Sequence, residues 1–233
     1  MFCVEETIGV TDTARIPGQR GDLLLDSAVR YAEERHWEVF PGTRLVPVAG
    51  GERCSCERTE CAAPGAHATG PGWAGLATGS PAAVRRLWSK QPGASVLLPT
   101  GRAFDVLDVP ESAGFLALAR MERMALTLGP VICTPDRRMV FFVLTGGAAK
   151  ADALVRQLGW APESVDLVAR GEGHYVAAPP TRVGGRGAVQ WACGPTPANR
   201  WLPDVAELIS PLAYACGQEA AAVRARRGRG GNG

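Results

Sequence analysis

Three thiols and an imidazole fall within fourteen residues of this chain: CSCERTECAAPGAH places Cys54, Cys56, Cys61 and His67 on one short loop. No other feature limits the fold as tightly. Four such donors can close a tetrahedral shell around zinc. The loop is otherwise small and polar, with Pro64 and Gly65 able to turn the chain toward His67, so a metal would supply order that its apolar content cannot. Because four protein ligands complete the shell, the expected zinc is structural rather than catalytic. The plainer alternative is a set of free surface thiols beside an unrelated histidine.

Seven cysteines, an odd number with three of them clustered, suit a reducing cytoplasm and a metal site better than a disulfide framework. The 233 residues fit one large domain or two small lobes sharing a cleft, and an apolar fraction of 46% is enough to bury a core. A net charge of +2 neither commits the chain to nucleic acid nor excludes it, since a basic groove can hide inside a neutral total. No apolar run is long enough to span a bilayer, and the polar start lacks a basic segment followed by an apolar one, so neither a membrane partner nor a secretory leader is expected.

Apolar spacing predicts a helix from Leu23 to Arg35, capped by Asp22, then strands at Trp37–Phe40 and Arg44–Val48. A loop holding the thiols follows, over 50–72. Further helices are expected at Pro81–Lys90, Ser112–Leu128, Ala148–Leu158 and Pro203–Cys216. The apolar runs ASVLLPTG and FDVLDVP read as buried strands, with more at Pro130–Cys133, Met139–Leu144, Val165–Val168, Tyr175–Ala178 and Val189–Ala192. Alternation gives way to a hairpin-rich second half, which predicts an α+β architecture in two packed lobes. Residues 1–22 read as a flexible leader, 23–217 as the folded domain and 218–233 as a disordered basic tail.

The thiol loop, its PGAHA end, the following Trp73 and the Ala77–Thr78 pair together resemble the zinc loop of the bifunctional DNA primase/polymerase N-terminal domain family, which is archaeo-eukaryotic primase-like. Ala66 and Ala68 stand where that family carries lysine and a second proline. The resemblance runs from about Leu23 to Tyr214. It implies a two-lobed primase–polymerase-like fold with an RRM-like second lobe and an inserted zinc loop.

It also implies a polymerase site, and here the sequence departs from the pattern. The family places an Asp-x-Asp pair at a strand end; PTGRAFDVLDVPESAG supplies Asp108 for the first aspartate and Pro110 for the second. Two-metal nucleotidyl transfer needs converging carboxylates around magnesium or manganese, and proline offers no ligand atom. Glu111 and Asp105 are out of phase with Asp108 on a strand, although a bend at Pro110 would bring Glu111 round. The plainer alternative makes Asp105 and Asp108 strand-end aspartates facing solvent. The family's phosphate-contacting histidine corresponds to Met139 in TPDRRMVFF, with Arg137 and Arg138 as neighbouring anion ligands. Asp166, before the run GEGHYVAAPPT, matches the third metal carboxylate, and His174 in that turn reads either as a plain turn histidine or as a substitute nucleotide contact. Trp191 reads either as a base-stacking residue or as a half-buried strand tryptophan.

Two functions follow from the resemblance. One is an active DNA primase/polymerase, a nucleotidyltransferase using Asp108 and Asp166 with magnesium or manganese. The other, favoured by Pro110 and Met139, is a chain with a degenerate site that binds nucleotide or nucleic acid in an accessory or regulatory role, with replication or regulatory proteins as partners in trans. A protein-interaction domain that binds no nucleotide is a third reading.

Overall fold

The structure, a computed structural model, describes residues 17–230. The start of the expected leader and the last residues of the expected tail lie outside the described residues. Helix α1 spans Pro17–Arg35, six residues earlier than the spacing predicts, so Asp22 lies within the helix rather than at its cap. Proline is well suited to a first helical position because its missing N–H has no partner there.

Three antiparallel sheets organise the strands. β1 (Phe40–Pro41), β4 (Val96–Pro99) and β9 (Tyr175–Ala177) form one small sheet in the order β1-β4-β9. The larger sheet has the order β10-β6-β7-β5-β8, built from β5 (Asp105–Pro110), β6 (Val131–Thr134), β7 (Arg138–Val143), β8 (Val168–Arg170) and β10 (Gln190–Cys193). A hairpin of β2 (Leu45–Val48) and β3 (Gly51–Cys54) stands apart. The remaining helices are α2 (Pro81–Lys90), α3 (Glu111–Arg123), α4 (Gly147–Gln157) and α5 (Val205–Gly230). The chain is therefore a mixed α+β fold.

Each face of the larger sheet meets a different hydrophobic core. Leu107, Val109, Met139 and Phe141 join the residues of α3, α4 and α5 in one. Val106, Ile132, Val140 and Phe142 pack with α1, α2 and the small sheet in the other, where Trp37 stacks on Phe142 at 5.4 Å between ring centroids. Burial on both faces explains why β5 and β7 read as nearly continuous apolar runs rather than alternating ones.

Several boundaries differ from the sequence expectation for identifiable reasons. Trp37 is a core hub rather than a strand residue; the strand begins at Phe40, after an isolated bridge between Val39 and Thr78. The region 50–72 is not all loop, because Gly51–Cys54 pairs with Leu45–Val48 and delivers Cys54 at its end. Helix α3 stops at Arg123, where Ala125 takes a left-handed φ of 53° and the Leu126 N–H turns back to the Met121 carbonyl. The strand expected at Val165–Val168 lies at Val168–Arg170. Helix α5 starts after Pro203 and continues to Gly230, so the described backbone of the expected disordered tail is helical.

Candidate functional site

The ligand atoms of Cys54, Cys56, Cys61 and His67 all lie within 4.8 Å of one another. Among the described residues this is the one group of three or more His, Cys, Asp or Glu side chains with that closeness. Local folding brings them together in steps. The hairpin presents Cys54, Glu57 turns the chain with φ 62°, and Gly65 turns it again with φ 75°. A Cβ at Gly65 would stand 2.7 Å from Leu45 Cγ, so no larger residue fits that approach. The Gly65 N–H then donates to Cys54 Sγ at 3.2 Å.

His67 is oriented for a metal. Its Nδ1 lies 2.8 Å from the Ala68 carbonyl, which can only accept, so the ring proton resides on Nδ1 and the Nε2 lone pair is directed at Cys54 Sγ, 3.4 Å away. A hydrogen bond of this kind commonly fixes the tautomer of a ligating histidine. Thr43 secures the backbone behind it, its hydroxyl donating to the His67 carbonyl at 3.1 Å and accepting from the His67 N–H at 3.3 Å. Burial pushes the Cys54 thiol up, but hydrogen bonds from the Cys56 and Gly65 N–H groups, and after them the neighbouring polar side chains, more than offset it and leave the pKa at about 6. Cys61 is pushed up to about 11, by burial first and then by hydrogen bonding to Cys56 and Cys54. One thiol is thus ready as a thiolate, and the donor set fits zinc.

The loop is fastened to the fold rather than hanging from it. Gly184 N donates to Pro64 O at 2.8 Å, Arg186 reaches the Ala62 carbonyl, and Arg182 pairs with Glu52 at 2.9 Å. Ala68 N donates to the Tyr175 hydroxyl at 3.1 Å.

A second cluster forms on the larger sheet. Strand register sets it: Asp108 pairs with Val140 on β7 and Val168 on β8, so Arg138 and Arg170, two residues along from those partners, share its face. Arg138 Nε donates to Asp108 Oδ1 at 2.7 Å and its Nη1 to Asp166 Oδ2 at 2.7 Å. Its Nη2 also meets the Asp108 carbonyl at 3.1 Å. Arg170 Nη2 takes the other carboxylate oxygen, Asp108 Oδ2, at 2.6 Å. Burial disfavours the Arg138 charge, yet the hydrogen bonds and charges of Asp166 and Asp108 prevail and hold its pKa above the ordinary arginine value.

The other residues singled out by sequence separate from this cluster. Asp105 and Asp108 are buried rather than facing solvent, at 2% and 6% exposure. Asp105 accepts the Ala148 N–H at 2.9 Å near the start of α4. Strand β5 passes directly into α3 at Pro110, so Glu111 begins a helix and its carboxylate faces Arg137 at 3.4 Å. Arg137 sits in the hairpin turn with φ 62°, and His174 is exposed in its own turn, with Nδ1 3.1 Å from the Glu172 carbonyl. Met139 is fully buried against Gly114 on the helical face, where a Cβ at Gly114 would come within 2.5 Å of its sulfur. The residue on the Asp108 face is its neighbour Arg138. Trp191 is the half-buried strand tryptophan, packed against the core from β10 with its indole N–H donating to the Tyr31 hydroxyl at 3.3 Å.

Sequence reasoning missed Arg170 and Thr43. Arg170 matters only through the β5–β8 register, and Thr43 lies twenty-four residues before the histidine it holds. Neither position carries a local signal.

A family model described as bifunctional DNA primase/polymerase, N-terminal, matches residues 28–204. The curated proteins and the solved structures gave no match.

Proposed function

The chain belongs to the bifunctional DNA primase/polymerase N-terminal family, and from that premise we propose that it acts by binding nucleotide or nucleic acid rather than by polymerising it. The observation that carries this reading is the Arg138 guanidinium held between Asp108 and Asp166. These are the two carboxylates that the family resemblance assigns to divalent metal. Arg138 and Arg170 engage both oxygens of Asp108, and Pro110 supplies no third ligand. The residues present therefore do not suit a pair of magnesium or manganese ions, which need several free carboxylate oxygens.

In this reading the two hydrophobic cores correspond to two lobes. The larger antiparallel sheet with α3 and α4 on one face supplies an RRM-like second lobe. The role is accessory or regulatory, in a reducing cytoplasm, with replication or regulatory proteins in trans. Cys54, Cys56, Cys61 and His67 would hold zinc, which supplies structural order to a loop poor in apolar contacts. Arg137 and His174, both on exposed turns, would be offered to an anionic ligand, Arg137 by giving up its exposed pairing with Glu111.

Family membership favours the second reading, an active primase/polymerase. Primer extension with magnesium and then manganese, with Asp108→Ala as control, separates the two. We expect no extension; extension by the unaltered chain that Asp108→Ala abolishes would overturn the proposal. Calorimetry with a nucleoside triphosphate and with an oligonucleotide tests the binding half, and absence of heat with both leaves a protein-interaction domain.

A further inference from the structure

Trp201 is 84% exposed, whereas the next most exposed large apolar side chain among the described residues, Phe115, stands at 53%. The chain around it is fastened on both sides. Before it, Thr196 and Asn199 form a reciprocal capping box around a short turn, and the Asn199 side chain also donates to the Gly194 carbonyl at 2.8 Å. After it, Leu202 packs against the hydrophobic core and the buried Pro203 accepts the Leu144 N–H at 2.9 Å. The indole therefore projects from a built support.

Positive charge gathers on the segment that leads to it. Arg35, at the end of α1, donates to the Thr196 carbonyl at 2.9 Å and the Asn199 carbonyl at 3.0 Å while lying over the Trp37 ring at 5.2 Å. Its guanidinium thus rests on backbone carbonyls next to Arg200, which is exposed and has no carboxylate partner among the described residues. Burial, and after it the Arg200 charge, hold Arg35 below its usual value; Glu34 offsets part of this.

We infer that Trp201, Arg200 and Arg35 form a platform for single-stranded nucleic acid, the indole stacking one base and the guanidinium groups meeting the adjoining phosphates. Exposed aromatics interleaved with arginine are how sequence-tolerant single-strand binding is built. The fixed support lowers the ordering cost of that contact. The inference rests on the binding role proposed above and names its surface and its partner.

Fluorescence anisotropy of a labelled oligodeoxythymidylate against the full chain at low salt tests it. Trp201→Ala should weaken binding by about tenfold with unchanged melting temperature, since stacking contributes about 1–3 kcal/mol per base, and Trp201→Phe should keep most of it. Arg200→Ala should weaken binding and reduce the salt slope by about one. Unchanged binding in Trp201→Ala and Arg200→Ala overturns the platform, leaves the indole to a protein contact and spares the binding role. No binding by the unaltered chain overturns the platform and the nucleic-acid half of the binding role, and leaves the nucleotide half to calorimetry.

Discussion

Arg138 joins Asp108 to Asp166: one guanidinium lies 2.7 Å from an oxygen of each. The three residues come from β7, from β5 and from the segment leading into β8, so the contact ties neighbouring strands of one sheet. Arg170 completes the arrangement by holding the second oxygen of Asp108 at 2.6 Å.

Asp108 is the anion both arginines share, so Asp108→Ala strips Arg170 of its carboxylate and leaves Arg138 with Asp166 alone. Breaking a buried pair by removing one member is strongly destabilising, and a loss of about 3 kcal/mol is expected in urea unfolding. A change within about 0.5 kcal/mol, ordinary for a surface position, would contradict the clamp.

Met139, which the resemblance sets in the place of the family's phosphate-contacting histidine, lies on the opposite face of β7 from Asp108. Met139→His should therefore restore no nucleotide affinity. It should cost about 2 kcal/mol, because the imidazole would be buried among apolar side chains without partners. Thermal unfolding and nucleotide calorimetry read the two halves; tighter nucleotide binding in the variant would place residue 139 on the wrong face.

These two residues show where the sequence is legible and where it is not. The four candidate metal ligands are local, within fourteen residues, and their spacing is visible in the chain itself. Helix α2 is equally local, with Ser80 as cap and Pro81 at its first turn, and its predicted bounds match. Asp108 could be found as a carboxylate in an apolar run, but its partners depend on the register of β5 against β7 and β8. A shift of one residue exchanges Arg138 for Met139 on that face. The reading of Asp105 and Asp108 as solvent-facing failed for the same reason, since both faces of this sheet are covered.

Zinc should be present at one equivalent, and its removal by chelation should lower the melting temperature. In the metal-free chain Cys54 should alkylate first near neutral pH, because its pKa lies at about 6 while that of Cys61 lies at about 11. Since folding lowers the Cys54 value, its contribution to metal-free stability is present above the ordinary thiol pKa and lost as pH falls through about 6. Mass spectrometry of alkylated peptides checks the order; equal labelling of Cys54 and Cys61 would contradict it.

Thr43→Val removes the two hydrogen bonds from the Thr43 hydroxyl to the His67 backbone while keeping the side chain's shape, and leaves the Thr43 N–H on the His67 carbonyl. Zinc affinity should fall by about tenfold, as for other groups that orient a metal ligand from behind. Competition with a chromogenic chelator measures it, and an affinity equal to that of the unaltered chain would remove Thr43 from the site.

The central claim is that Arg138 supplies the positive charge between Asp108 and Asp166. Manganese binding followed by electron paramagnetic resonance tests it most directly, comparing the unaltered chain with Arg138→Ala. The account predicts no manganese held at the acidic pair in the unaltered chain, and binding in Arg138→Ala that is lost again when Asp108→Ala is added. Manganese bound by the unaltered chain and lost in Asp108→Ala alone would contradict it.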